Sequence, residues 1–244
     1  MKSVIYLALF ALAASLVAEP QTTTTAKEVI NRARATTATE KALKDLVTVQ
    51  FVGQVIAKDE KMPSATVYIA ARKPSSQRMV VRSGDIEETT ILSGKRAVVV
   101  RSQVNDKKGQ MRELSGAELQ RIKSSTRDLF SYYRPDFKRG EKVVYAGIEQ
   151  RRGERCHKLV YQYPNDGLKT VRYFAVNDDT LVSVVTNNGI ESVEIGEQMV
   201  RGIKFPEKIE FYLNNEMLHT LLVKEVKVNK PLPADVFDMP ARKQ

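Results

Sequence analysis

The side chains able to do nucleophilic, acid–base or metal chemistry are few and badly placed for it. Cys156 is the single cysteine, and His157 and His219 are the two histidines, in 244 residues. Cys156 and His157 are neighbours in a segment that reads as a strand. Their side chains then point to opposite faces and cannot pair as nucleophile and base. His219 stands at the start of another strand, with no cysteine or carboxylate at ligand spacing. Asp178-Asp179 follows Asn177 and reads as a turn, not as an acid–base pair. H-E-x-x-H, G-x-S-x-G, phosphate-loop and dinucleotide signatures are absent. No catalytic residue, metal site or cofactor is expected, and the chemistry left to the chain is that of an apolar binding surface.

Apolar strand surface is in excess of what one flat sheet needs. Val98-Val99-Val100, Leu181-Val182, Val184-Val185 and Leu221-Leu222-Val223 are apolar on both faces. Either such strands are covered on both sides, or one face lines a cavity roofed by helices and open to an apolar ligand. The chain has no tryptophan and eight phenylalanines, which is compatible with a cavity left unfilled.

The elements that would position this surface follow from period and punctuation. Ala26 to Leu46 reads as a helix with Val29, Ala33, Leu43 and Leu46 on one face, weakened at Thr36-Thr37 and Thr39, where it could break in two. Val47, Val49, Phe51 and Val55 alternate with polar residues, the period of a half-buried strand. Strand-like runs continue at Ala65 to Ala71, Arg78 to Arg82, Glu87 to Leu92 and Arg96 to Ser102, parted by Pro and Gly turns. Ser115-Gly116-Ala117-Glu118 has capping-box spacing and opens a helix to Tyr133, ended by Arg134-Pro135. Strands resume at Lys142 to Gln150, Lys158 to Tyr163, Lys169 to Val176, Leu181 to Thr186, Glu191 to Glu197, Glu207 to Leu213 and Leu218 to Val228. Asn165-Asp166-Gly167, Asn177-Asp178-Asp179 and Asn214-Asn215 are hairpin turns. Pro231 to Pro240 is too proline-rich for a helix or central strand. No repeat or central linker appears. The expected fold is α+β, a large curved antiparallel sheet or barrel with a helix inserted in it.

Strand alternation places Val49, Phe51, Val67, Ile69, Met79, Val81, Val98 and Val100 on the face toward the helices. A one-residue register error would reverse any of them. Leu129, Phe130, Tyr132 and Tyr133 gather the largest apolar surface at the end of the second helix, expected to act as a lid.

Residues 1–18 read as a secretory signal peptide: Lys2, an uncharged apolar run from Val4 to Ala18, and small residues before Glu19-Pro20. The run is short for a membrane span. Processing is expected after Ala18, or after Ser15; an uncleaved anchor is the alternative. Residues 19–244 would then form one domain, with Glu19 to Thr25 as a lead-in. One cysteine allows no intramolecular disulfide, which suits a bacterial envelope better than a eukaryotic exterior. The formal charge is +10, less one on loss of Lys2. In an exported chain that favours phospholipid headgroups, anionic glycans or an acidic protein face. Lys107-Lys108 and Arg151-Arg152-Gly153-Glu154-Arg155 are not interleaved with aromatics, so nucleic acid is not an expected partner.

Five motifs in order resemble the LolA-like family of periplasmic lipoprotein carriers. They are Thr48-Val49-Gln50-Phe51 after one helix; Val67-Tyr68-Ile69-Ala70-Ala71-Arg72-Lys73-Pro74 with Arg78; Gly94-Lys95-Arg96-Ala97-Val98-Val99; Phe205-Pro206-Glu207-Lys208-Ile209-Glu210-Phe211-Tyr212; and Pro231-Leu232-Pro233-Ala234-Asp235-Val236-Phe237-Asp238-Met239-Pro240. The resemblance spans the mature chain. It implies a half-open antiparallel β-barrel with helices covering its concave face, over a cavity for acyl chains. It also implies transfer of lipoproteins from an inner-membrane release complex to an outer-membrane receptor, with transient membrane contact. Lys73 and Arg78 are the implied transfer or partner contacts; Lys73 stands where the family has a functional arginine, and lysine cannot make the same bidentate contacts.

The leading expectation is a soluble periplasmic carrier and chaperone of lipoprotein acyl chains or phospholipid. The alternative is a periplasmic lipid or lipoprotein sensor acting through a protein partner. An exported enzyme or a structural envelope protein with a filled core is the third reading.

Overall fold

The computed structural model describes residues 24–59, 63–104, 106–164 and 168–240, with only the backbone at 106–108. The expected signal peptide and the turn Asn165-Asp166-Gly167 lie outside the described residues.

The N-terminal helical stretch divides where its threonines weaken it. Helix α1 (Ala26–Thr37) ends as Ala38 turns extended, and α2 (Glu40–Asp45) restarts behind Thr39. The Thr39 hydroxyl accepts from the Ala42 amide at 3.2 Å, which satisfies one of the helix's free donors. Thr25 and Glu28 form a reciprocal capping box on α1.

The strands are β1 (Thr48–Ala57), β2 (Ala65–Arg72), β3 (Ser76–Ser83), β4 (Ile86–Ser93), β5 (Arg96–Gln103) and β6 (Asp106–Leu114) before helix α3 (Gly116–Ser131). After it come β7 (Lys142–Arg151), β8 (Glu154–Gln162), β9 (Lys169–Ala175), β10 (Leu181–Thr186), β11 (Ile190–Ile195), β12 (Gln198–Val200), β13 (Ile203–Phe205), β14 (Lys208–Leu213) and β15 (Glu216–Val228). Thirteen of them form one antiparallel sheet in the order β6-β5-β4-β3-β2-β1-β15-β14-β11-β10-β9-β8-β7, while β12 and β13 pair separately. Two meanders are thus joined at the centre by β1 and β15. Edges β6 and β7 do not pair with each other, so the sheet is not closed. The chain passes from one free edge to the other through α3, which makes that helix the roof of the opening.

Register fixes the faces. Val49, Phe51 and Gly53 of β1 oppose Ala71, Ile69 and Val67 on one side and Val228, Val226 and Val223 on the other. Continuing across β3, β4 and β5 adds Gln77, Met79 and Val81, then Leu92, Thr90 and Glu88, then Ala97, Val99 and Arg101. This face packs on the helices: Leu43 against Val49 and Ala71, Leu119 and Ile122 against Leu92 and Ala97, and Val29, Ile30 and Ala33 against Leu159, Tyr161 and Phe174.

Val98 and Val100 therefore face the opposite way from the expectation. Three consecutive valines carry no phase of their own, and the pairing of Leu92 with Ala97 sets it. Val98 and its partner Ile91 are each 2% exposed on the convex side. The proline-rich tail reaches that side too, with Phe237 buried and the Arg72 guanidinium 4.8 Å above its ring. At Val98 the strand is thus covered on its convex side as well. The capping box expected at Ser115 does not form either: its side chain makes no cap bond, and Glu118 instead pairs with Arg112.

Candidate functional site

The end of α3 is where the concave face is least filled. Tyr132 and Tyr133 follow its last turn with left-handed φ of 43° and 72°, a conformation non-glycine residues adopt at a cost. What holds them is Arg34, only 4% exposed on α1. Its guanidinium donates to the carbonyls of Ser131 at 2.5 Å and Tyr132 at 2.8 Å and pairs with Glu40 at 2.7 and 2.9 Å. Arg34 thus caps the C-terminal end of α3. Tyr161 adds a hydroxyl bond to the Tyr133 carbonyl at 2.8 Å.

Beneath these tyrosines lies a cavity of about 220 Å³. Its floor is Phe51, Gly53, Val67 and Ile69 on one side and Ile209, Leu221 and Val223 on the other; Leu129, Tyr132 and Tyr133 roof it, and Phe205 and Pro206 close one wall. Phe205 meets Phe51 edge-on, centroids 5.7 Å apart. Gly53 is required, because a Cβ there would sit 2.6 Å from the Leu222 carbonyl oxygen. Polar groups are few: Thr37, Asp128, Glu194 and Lys204. Asp128 is held by Arg172 at 2.9 Å and by the Tyr163 hydroxyl at 3.2 Å. Arg172 is 6% exposed, its guanidinium 4.3 Å from the Tyr161 ring centroid and 5.8 Å from that of Tyr133. Burial pushes the Tyr132 and Tyr133 hydroxyls well above the usual phenol range.

Two other hollows adjoin the end of α3. One, of about 280 Å³, shares Thr37, Tyr133, Glu194, Lys204, Phe205 and Pro206 with the cavity and extends to Asp178, Thr180, Gly196 and Glu197. The other is an open groove of about 890 Å³ on the far side of the end of α3, carrying Lys41, Lys44, Lys73, Arg127, Arg134 and Arg139. There Lys73 Nζ reaches the Leu43 and Lys44 carbonyls at 3.5 and 3.3 Å, 5.7 Å from the Phe130 ring centroid. Burial lowers the Lys73 pKa, with Asp45 opposing.

Of the residues singled out from the sequence, Phe51, Val67, Ile69, Leu129, Tyr132 and Tyr133 meet around the cavity. Val49, Met79 and Val81 share the concave face without lining it. Phe130 is a correction. It is 8% exposed in the core beside Leu43, Val49 and Ala71, and its free edge meets the basic groove, not the cavity. Arg78 is another. Paired with Ala70 and Ile91, it points to the convex side and is not brought to Lys73. Glu194 and the wall from Ile209, Leu221 and Val223 went unassigned. Along β11 the apolar residues Val193 and Ile195 face outward, while Ser192 and Glu194 oppose the inward Phe211 and Ile209. Polarity there runs against burial, so alternation alone misleads.

Cys156 and His157 do lie on opposite faces. Cys156 Sγ turns to the Glu154 carbonyl at 3.6 Å, and His157 lies 3.1 Å from the Tyr145 hydroxyl and 3.4 Å from Arg32. His219 stacks on Phe211 at 4.6 Å. Among the described residues no cluster of His, Cys, Asp or Glu could hold a metal, and no helix is long and apolar enough to cross a membrane.

No family model and no curated protein matches this sequence. Solved structures do. A DUF1329 family protein of Desulfovibrio piger superposes with a TM-score of 0.58 at 9% identity, over 87% of this chain and 97% of that one. A LolA superfamily protein of Nitrosomonas europaea gives 0.56 at 13% identity, over 88% and 98%. With its unclosed curved sheet and helices on the concave face, this chain has the LolA-like fold.

Proposed function

We propose that this protein is an exported, periplasmic binding protein for acyl chains of a lipoprotein or another lipid, acting as a carrier and without catalysis. The cavity roofed by α3 is the observation that carries the reading. Its lining is apolar, so an acyl chain gains about 0.8 kcal/mol per buried methylene with no specific polar contact needed. Ligand pockets usually span ~300–1,000 Å³. The cavity is smaller, so a whole chain requires the lid to shift, which is how uptake and release would be controlled. The similar fold of a LolA superfamily protein supports the same reading. Delivery would run between an inner-membrane release complex and an outer-membrane receptor. A lipid sensor acting through a protein partner is the second reading, and the basic groove at the lid's end favours it. In either case Lys73 lies where a partner could sense the lid.

The test is native mass spectrometry of protein released from the periplasm by osmotic shock and purified without detergent. Discrete lipid-sized additions, on a chain beginning at Glu19 or Leu16, are expected. Only the bare mass, with no uptake of added phospholipid, or a chain retaining Met1, would refute the proposal.

A further inference from the structure

Glu194 sits at the junction of the apolar cavity and the smaller hollow beside it. Glu194 is exposed: protein surrounds it on several sides, but the side chain stands in hollow space open to solvent and not among packed atoms. It has no hydrogen bond or ion pair among the described residues. The cation sharing both hollows, Lys204, is taken by Glu197 at 2.9 Å. Arg172, whose charge also acts on Glu194, is held by Asp128 at 2.9 Å. The smaller hollow thus carries Asp178, Glu194 and Glu197 against Lys204 alone, in a chain whose overall charge is +10. Such an unpaired, partly desolvated carboxylate costs stability unless something pairs with it. An anionic head would be repelled there, and a neutral one would leave the charge uncompensated.

We propose that Glu194 anchors the head of an amphiphile, receiving an ammonium group placed in the acidic hollow while the attached tail lies between Phe51, Ile69, Leu221 and Val223. This rests on the acyl-chain reading of the cavity and names the class of head it prefers. A bound tail would exclude water from one side of the pair and strengthen it over a fully solvated one, so the head group supplies selectivity and the tail supplies affinity.

Calorimetric titration at pH 7.5 with dodecylamine, dodecanol and dodecanoate, each below its micellar concentration, separates the two ideas. Dodecylamine should bind about tenfold tighter than dodecanol, and dodecanoate weakest. Glu194→Gln should bring the amine-to-alcohol ratio near one and leave dodecanol unchanged. Should that variant not fold, wild type at pH 5 gives the same contrast. The groups facing Glu194 are Asp128 from α3, Tyr132 and Tyr133 just past its end, Arg172 from β9, Lys204 from β13, and Asp178 and Glu197 across the smaller hollow. Burial holds the Glu194 carboxyl up at about 6, so at pH 5 it is protonated and the amine preference should fall. Equal binding of all three at pH 7.5, or a ratio unaltered by both the variant and pH, overturns the anchor while leaving the cavity reading intact. No binding of any of the three overturns both.

Discussion

Arg34→Met should unlatch the lid. The guanidinium is buried, and its bonds to the Ser131 and Tyr132 carbonyls tie α3 to α1 across 97 and 98 residues of chain. Hydrogen bonds to a charged donor contribute ~1.5–3 kcal/mol each. The Glu40 pair adds little, because that side chain is 58% exposed and such pairs are worth ~0–1 kcal/mol. Glu40 also keeps Arg134, at 3.2 Å. Water reaching the freed carbonyls offsets part of the loss, leaving a net cost of about 3 kcal/mol. With a urea m-value of ~3 kcal/mol/M the midpoint should fall by about 1 M. Amide exchange in residues 116–133 should accelerate by about 100-fold, the same free energy read locally, with α1 and the β8–β9 hairpin much less affected. Arg34→Lys keeps the charge but not the fork, and should recover less than half of the loss. A midpoint shift below ~0.3 M together with unchanged exchange across 116–133 would refute the latch.

Glu194→Gln should raise stability. Burial raises the folded carboxyl from 4.5 to about 6, so the folded state holds the proton more tightly and the favourable contribution is present below pH 4.5 and lost as pH rises through 6. The full shift is ~2 kcal/mol, about halved because the side chain keeps accessible surface; the variant should be ~1 kcal/mol more stable at pH 8 and equal to wild type at pH 4.5, and equality at pH 8 would contradict this. Gly53→Ala, forced 2.6 Å from a carbonyl oxygen, should cost about 1–3 kcal/mol by thermal unfolding; a neutral result would show that the β1 bulge can relax. Lys73→Leu removes long contacts to α2 carbonyls and a distant approach to the Phe130 ring, so Tm should move less than about 2 °C. Lipid transfer to vesicles containing phosphatidylglycerol should nonetheless slow by roughly fivefold, the share of one lysine near an anionic surface. Wild-type transfer rates would leave Lys73 without a contact role.

The fold was legible in the sequence wherever period and punctuation agreed. Alternation at Thr48–Ala57 and the Asn214-Asn215 turn, both residues at positive φ, mark strands and hairpin directly. The long helix breaks at the threonines that weaken it. What failed were the places where composition carries no phase. Val98-Val99-Val100 is uniform, so a neighbouring strand decides its faces. Lys107-Lys108 gives β6 too little apolar content to stand out. On β11 polarity is inverted, because the inward positions face a hollow and not a packed core. Glu194 was invisible because alternation assumes a packed core, and a hollow permits on its wall what a core forbids. Arg34 and Arg172 read as surface charge, because nothing local reveals that carbonyls of a distant helix, or Asp128 between tyrosines, await them.

On the proposed function, the latch and the cavity set a scale for what a lipid ligand must do. The cavity of about 220 Å³ admits only part of an acyl chain, so on the acyl-chain proposal deeper entry requires the end of α3 to lift and the Arg34 bonds to break, at about 3 kcal/mol. Each further methylene buried returns about 0.8 kcal/mol. Roughly four extra methylenes therefore offset the opening, and short-chain amphiphiles should bind without moving the lid while long ones hold it open. The topology allows this without loss elsewhere. The lid joins the two free edges β6 and β7, and the hydrogen-bonded centre formed by β1 and β15 stays intact whichever position α3 takes. A series of alkylamines from eight to sixteen carbons should then show exchange in residues 116–133 slowing for the short members and quickening past a threshold length. A monotonic trend with chain length would mean that the lid does not need to move to admit the tail.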